Sequence, residues 1–133
     1  MDCIFCKIIE EKIPHNRIYE DEIIIAFLDI NPLVKGHTLI IPKKHSRWLW
    51  DMNDEDYSYI MKKTKYLAEV LKKTFSTDWI EIIVAGVGVE HTHIHIMPRT
   101  EEDGQPEVPT QPLEPKLSKE EMQATAEKIK QHL

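Results

Sequence analysis

Apolar runs broken by turn residues fill the first part of the chain. Residues 23–29 are almost continuously apolar, which is typical of a buried strand, and residues 17–20 form a shorter run before them. Because only a short polar turn separates the two runs, they predict a β-hairpin. Residues 38–41 predict a third strand, and the Asn-Pro and Gly signals within residues 30–36 mark the loop that precedes it.

Apolar residues at helical spacing predict three helical segments. Residues 3–12 predict a short helix or turn, and a long helix begins at Asn53 or Asp54, where polar and acidic side chains suit a helix N-terminus. Ser118 and Glu121 form a capping box that starts a C-terminal helix. Basic side chains fall mainly on the other face of the long helix, and we interpret them as a solvated face rather than a ligand-binding patch.

Two more strands are predicted at residues 79–84 and 91–97, joined through a glycine-containing turn. Strands followed by a long helix, two further strands and a terminal helix favour an antiparallel α+β domain over a doubly wound one. The length fits a single domain, residues 1–133. We divide it into a core of residues 1–99, an irregular segment of residues 100–117 and a C-terminal helix of residues 118–132.

Composition and charge narrow the class of protein. Of 133 residues, 41% are hydrophobic and 30% are charged, which is typical of a soluble globular domain. Neither a run of about 20 apolar residues nor a signal-peptide pattern is present, so we expect a cytoplasmic protein without a membrane partner. The net charge of -6 argues against broad nucleic-acid binding, although a few local donors still suffice for one phosphate.

The most informative pattern is an alternation of histidines near residue 93. In an extended strand, His91, His93 and His95 lie on one face, and the residues between them lie on the other. Such a row is explained by shared hydrogen bonds, by metal binding or by catalysis, the alternative being a polar row on an edge strand. Gly86 and Gly88 allow the backbone to approach a ligand, although a plain hairpin turn explains them equally well.

Several ordered blocks resemble the histidine triad superfamily of nucleotide hydrolases and transferases. The block H-T-H-I-H-I-M-P-R at residues 91–99 looks like the family signature. Residues 2–9, 26–32 and 36–45 look like other family blocks, so the resemblance covers nearly the whole chain. It is closest to the phosphoramidase-like branch that carries an N-terminal C-x-x-C.

The resemblance implies a fold and a reaction. It implies an antiparallel sheet of about five strands with helices, continued across a homodimer. It also implies that the middle histidine, here His93, attacks the α-phosphorus of a purine nucleotide conjugate, so that a nucleotidyl-histidine forms and water then hydrolyses it. By position, His95 would donate a hydrogen bond to the phosphate and His37 would orient the catalytic ring.

The same resemblance implies a nucleotide site. Asp29 and Ile30 would hold the ribose, and an apolar slot would take the purine base. The residues of that slot are Phe5, Ile8, Ile13 and Phe27. From the residues alone, ordinary core packing explains these four side chains better than a base slot does.

Cys3 and Cys6 have the spacing of a zinc knuckle. Two alternatives remain open: a thioredoxin-like redox pair, or inert apolar side chains. The resemblance implies that His45 and His91 complete the ligand set, which gives a closed structural Zn²⁺ site with no open position.

The chain departs from the family just before the triad. Many relatives carry a serine or glutamine that donates to the leaving group, whereas residues 87–90 read V-G-V-E. The backbone N–H groups of Gly88 and Val89 are the substitutes we expect. Substrate choice therefore stays open between nucleoside phosphoramidates and dinucleoside polyphosphates, with a non-catalytic nucleotide sensor as the rival.

Overall fold

A computed structural model describes residues 3–133; Met1 and Asp2, the latter being the first residue of the family block at residues 2–9, lie outside the described residues. Within residues 3–133, the chain forms three α-helices, five strands and one short 3₁₀ turn. In chain order these elements are α1 (Ile4–Ile9), β1 (Arg17–Glu20), β2 (Ile24–Leu28), β3 (Thr38–Pro42), the turn Leu49–Asp51, α2 (Asp54–Phe75), β4 (Trp79–Ile83), β5 (Ile94–Arg99) and α3 (Lys119–Lys130).

The five strands form one antiparallel sheet in the order β1-β2-β3-β5-β4. The predicted α+β class and the predicted number of strands are therefore confirmed. Asn53 caps α2 by accepting the backbone N–H of Asp56, which settles the choice between Asn53 and Asp54. Ser118 and Glu121 form the predicted capping box of α3.

The bounds predicted for the histidine strand are wrong at both ends. β5 begins at Ile94, because the backbone N–H of Thr92 donates to Ser46 O (2.7 Å) and not to a neighbouring strand. At the other end, Pro98 continues the strand instead of ending it. The pairing of β3 with β5 ends at Ile96, so Pro98 has only β4 beside it and needs no second set of ladder bonds.

The two faces of the sheet carry different layers. On one face, α2 and α3 cover a large core built from β-strand isoleucines and from helix residues such as Ile60, Leu67 and Ile129. On the other face, α1 packs Phe5 and Ile8 against β2 and β3. The thinner α1 layer is the side on which Phe5 meets the histidines.

Residues 100–117 contain no helix or strand and are fastened by Arg99 at the end of β5. The Arg99 side chain is fully buried and donates to Glu81 and Asp103, each at 2.7 Å at the closest. It also donates to the carbonyls of Pro106 and Glu107. A buried cation with this many acceptors gives an irregular segment a defined path.

Among residues 3–133, none of the helices is both long and apolar enough to cross a membrane.

Candidate histidine site

His93 is held with one ring nitrogen engaged and the other available. Its Nδ1 lies 2.8 Å from His91 O, and because a carbonyl only accepts, Nδ1 carries the proton. A neutral ring of this tautomer has its lone pair on Nε2. The side chain is buried, and its ring meets Phe5 edge to face with 5.1 Å between centroids. This arrangement leaves Nε2 as the ring nitrogen whose lone pair is available.

His37 and His95 form a directional pair beside it. The backbone N–H of Leu33 donates to His37 Nδ1 (3.1 Å), so the proton of a neutral His37 lies on Nε2. His37 Nε2 then donates to His95 Nδ1 (2.9 Å). By the same rule, a neutral His95 carries its proton on Nε2 and is a donor there. The hydrogen-bond partner of His37 is thus His95 and not the ring of His93.

Burial keeps this pair neutral. It lowers the pKa of His37 to about 4. Burial, together with the neighbouring His37 and His93 rings, also lowers the pKa of His95 to about 4. Asp29 lies 3.6 Å from His37 Nε2, and burial raises the pKa of its carboxyl although the N–H of Asn31 opposes this by donating to it.

The four residues predicted for a base slot fall in one apolar cluster. Phe5, Ile8 and Phe27 are buried and Ile13 is half-buried, all on the α1 side of the sheet. Phe5 and Phe27 meet edge to face at 5.7 Å. These side chains are therefore packed core residues, and one of them, Phe5, also contacts the rings of His91 and His93.

The two residues predicted to hold the ribose follow β2. The Asp29 backbone N–H donates to His37 O (2.9 Å), which holds the carboxylate next to the histidine pair. Ile30 is 79% exposed, so its side chain is open to solvent. The pair therefore offers a polar acceptor and an apolar surface at one edge of the site.

The turn before the triad is fixed at Gly86 and open at Gly88. Gly86 has φ of +72°, and a Cβ there would lie 2.6 Å from the ring of Trp48. The Arg47 side chain donates to Gly86 O and lies over the Trp48 ring. No atom of the described chain lies within 4 Å of a Cβ built on Gly88. The Gly88 backbone is therefore accessible to a ligand.

Val89, the other residue predicted to offer a backbone N–H there, packs its side chain against the apolar cluster of Phe5 and Phe27. The turn therefore reaches from the Trp48 side of the molecule to the predicted base slot.

Cys3, Cys6, His45 and His91 converge on one point, with their ligand atoms all within 4.8 Å of one another. The S···N distances are 3.4 Å for Cys3–His91 and Cys6–His45 and 3.6 Å for Cys6–His91, and the two Nδ1 atoms are 3.1 Å apart. Zn–S and Zn–N bonds of about 2.3 and 2.0 Å at tetrahedral angles give neighbouring ligand atoms about 3.5 Å apart. The cluster therefore fits a tetrahedral metal site.

The chemistry of the donor set agrees with this geometry. His91 Nε2 donates to Pro42 O (2.8 Å), which leaves its Nδ1 lone pair toward the cluster. Burial, with a hydrogen bond and charge from Cys3, raises the pKa of the Cys6 thiol to about 11. A divalent cation would reverse that effect, because it stabilises the thiolate that ligates it.

The sequence did not indicate the groups that position His37 and the glycine turn. Leu33 acts on His37 only through its backbone N–H. Arg47 acts on the turn by donating to Gly86 O, and the Trp48 ring lies against Gly86. His15 lies beside Phe27, with 6.1 Å between ring centroids. No sequence motif marks such groups, because Leu33 acts through its main chain, which any residue type offers, and Arg47 and Trp48 meet a turn about 39 residues away.

Comparisons with known proteins identify the family of this chain. The HIT domain family model matches residues 10–102. A HIT-like protein of Borreliella burgdorferi is 46% identical over 110 residues, covering 77% of this chain and 79% of the relative. An adenosine 5'-monophosphoramidase of Schizosaccharomyces pombe is 34% identical, covering 92% and 96%.

A solved structure of a zinc-bound histidine triad family protein from Mycobacterium smegmatis has a TM-score of 0.83 and 28% identity, covering 99% of this chain and 93% of the other. The chain belongs to the HIT domain family, as the motifs at residues 91–99 and elsewhere predicted.

The lowered pKa values of His37 and His95 give a direct prediction. Both rings should stay neutral, each as its Nε2–H tautomer, until the pH falls to about 4. The unfolded chain takes up these protons near pH 6.5. The contribution of these two neutral rings to the free energy of unfolding is therefore fully present above about pH 6.5, and it is lost as the pH drops toward 4. Histidine ¹H–¹⁵N spectra across this range measure the ring states.

The same spectra recorded in concentrated urea provide the control, since histidines of the unfolded chain titrate near 6.5. Protonation of the folded His37 or His95 ring near pH 6.5 would contradict the prediction.

Proposed function

We propose that this protein is a hydrolase of purine nucleoside phosphoramidates. The observation that carries the proposal is the pairing of a free His93 Nε2 with a neighbouring His95 that donates from its own Nε2. A nucleophile and an oxyanion donor at adjacent positions are what substitution at phosphorus requires. The similarity to adenosine 5'-monophosphoramidases supports the class of substrate.

The reaction balances in two steps. In the first, the His93 Nε2 lone pair forms a bond to the α-phosphorus and the P–N bond of the substrate breaks. The leaving nitrogen keeps the electron pair, takes one proton from solvent and departs as an amine. In the second step, a water molecule attacks phosphorus, the P–Nε2 bond breaks with its electron pair returning to Nε2, and the attacking water releases one proton to solvent, which balances the first step. Throughout, His93 Nδ1–H keeps its bond to His91 O and stabilises the positive ring of the intermediate.

The other residues bind and orient the nucleotide. Phe5 and its apolar neighbours border the base, and Asp29 accepts from the ribose hydroxyls. The backbone N–H groups of Gly88 and Val89 donate to the phosphate or the leaving group, since residues 87–90 offer no side-chain hydroxyl.

We further propose that Cys3, Cys6, His45 and His91 hold a structural Zn²⁺. The ligand spacing and the zinc-bound histidine triad protein of M. smegmatis support this. When bound, the metal would supply a rigid cross-link between α1 and the start of β5, with no open position for water. His91 would then present its carbonyl to His93 from a fixed place.

We also propose that two copies pair along β4 and extend the sheet. β4 is an edge strand in the described sheet, and Trp79, Ile82 and Val84 are each more than a third exposed at or just beyond it. An apolar sheet edge left in water is a site of association, and a second copy of the strand satisfies its free backbone groups.

Substitution of the nucleophile tests the reaction. With adenosine 5'-phosphoramidate as substrate, His93→Ala should lower kcat at least about 10⁴-fold, because no other group attacks phosphorus. His132→Ala is the matched control, since His132 lies in the last turn of the chain, and its rate should equal that of the wild type. Release of AMP, measured by chromatography, gives both rates.

A rapid acid quench of the wild-type reaction should also trap a nucleotidylated histidine at residue 93. Equal rates for wild type and His93→Ala would refute the nucleophile. Faster cleavage of diadenosine polyphosphate than of the phosphoramidate would assign the chain to that substrate class instead. Nucleotide binding with no cleavage of either compound would identify a sensor.

Metal analysis tests the zinc proposal. Protein purified without added metal should contain about one zinc per chain, and Cys6→Ser should contain much less. Removing zinc with a chelator should lower Tm by about 5 °C or more, because binding energy at a structural site is folding energy. A metal-free wild type in which both thiols are reduced and can be alkylated would refute the site.

The oligomeric state tests the edge-strand proposal. The wild type should sediment at about twice the chain mass of 15.6 kDa, and Ile82→Lys should sediment as a monomer because it places a charge on the paired edge. Leu133→Lys is the control, since Leu133 is exposed and lies beside β1, at the opposite edge of the sheet. A monomeric wild type at micromolar concentration would contradict the proposal.

A further inference from the structure

The irregular segment after β5 is bonded to the loop that holds His37. We call residues 103–113 the strap. Gln105 Nε2 donates to Leu33 O (2.9 Å), and the backbone N–H of Leu113 donates to Pro32 O (2.9 Å). The strap therefore grips two consecutive residues of the loop between β2 and β3. It lies beyond residues 10–102, the part of the chain that the family model matches.

Gln105 is the centre of the strap. Its amide Nε2 also donates to Gln111 O, and its Oε1 accepts from the backbone N–H groups of Thr110 and Gln111. Its own backbone N–H donates to Asp103 Oδ1 (3.0 Å). Because both ends of the amide have partners of the correct kind, its orientation is unambiguous. A side chain with this many bonds, in a segment without helix or strand, is an anchoring point.

The base of the strap is equally fixed. Asp103 accepts from the buried Arg99 at 2.7 Å, and the Arg99 guanidinium also lies over the Trp79 ring at 4.3 Å. Charge-assisted bonds of this length are stronger than neutral ones. The position of Gln105 is therefore determined by β4 and β5, the rigid part of the sheet.

Leu33 transmits this position to the histidines. Its carbonyl accepts from Gln105, and its N–H donates to His37 Nδ1. As described above, that N–H fixes the proton of His37 on Nε2, which in turn makes His95 a donor from its own Nε2. A displaced Leu33 would release His37 to the other tautomer, and His95 would then lose the partner that sets its proton.

We propose that Gln105 is a positioning residue for the phosphate-binding histidine: it holds Leu33 so that His37 and His95 keep the tautomers that hydrolysis requires. This inference rests on the proposed hydrolase function for its kinetic consequence and on the geometry alone for its spectroscopic one. Gln105 touches neither substrate nor His93 in this scheme.

Three variants separate positioning from general stability. Gln105→Ala removes the amide, and Gln105→Glu keeps the shape and the Oε1 acceptor but has no N–H to donate to Leu33. Gln111→Ala is the matched control, because it is also a glutamine of the strap but the described contacts of Gln111 involve only its backbone. Each variant is examined as the full chain, with its Tm measured first.

Histidine ¹H–¹⁵N spectra provide a readout that a purely structural role would not change. The wild type and Gln111→Ala should show His37 and His95 each as a single Nε2–H tautomer. Gln105→Ala and Gln105→Glu should show mixed tautomers of both rings. In turnover of adenosine 5'-phosphoramidate, the two Gln105 variants should lose about 5- to 10-fold in kcat, as for one lost hydrogen bond, with KM changed less than about twofold.

Two results would overturn the proposal. One is unchanged His37 and His95 tautomers in both Gln105 variants, whatever their activity or Tm. The other is a loss of kcat and of the single tautomers in Gln111→Ala as large as in the Gln105 variants, which would assign the effect to the strap as a whole. If the wild type does not cleave the phosphoramidate, the proposed function fails, but the spectra still decide whether Gln105 positions the pair.

Discussion

The residue on which the site depends most is His91, because three of its groups face three separate parts of the molecule. Its Nε2 donates to Pro42 O at the end of β3, and its Nδ1 faces the cysteines at the start of α1. Its backbone carbonyl accepts from His93 Nδ1. The hydrogen bond from Nδ1 sets the tautomer of the His93 ring, and its acceptor belongs to the residue with the most contacts of this kind.

The sheet divides the work between its two faces. The face under α2 and α3 buries most of the apolar surface and supplies stability. The α1 face is thinner, and Phe5 contacts both His91 and His93 there. A helix of only six residues is marginal by itself, so α1 depends on its packing, and the proposed metal site at Cys3 and Cys6 would add a link from α1 to the histidine segment.

Imidazole tautomers in this protein are set by main-chain groups. The carbonyl of His91 fixes His93, and the N–H of Leu33 fixes His37 and, through it, His95. Backbone groups are reliable partners only where the backbone itself is held, since a loop that moves takes its donors with it. This explains why an irregular segment of the chain is bonded so extensively through Gln105 and the buried Arg99.

The sequence by itself determined the α+β class, the capping box at Ser118 and the family, and it narrowed the cap of α2 to Asn53 or Asp54, because periodicity, capping and ordered motifs are local properties of the chain. It also predicted which cysteines and histidines converge, through a resemblance. Only the tertiary structure decided that β5 begins at Ile94, that His37 bonds His95, and that Gln105 reaches a residue 72 positions away. The partner of a polar side chain depends on which distant segment folds beside it, and no local pattern encodes that.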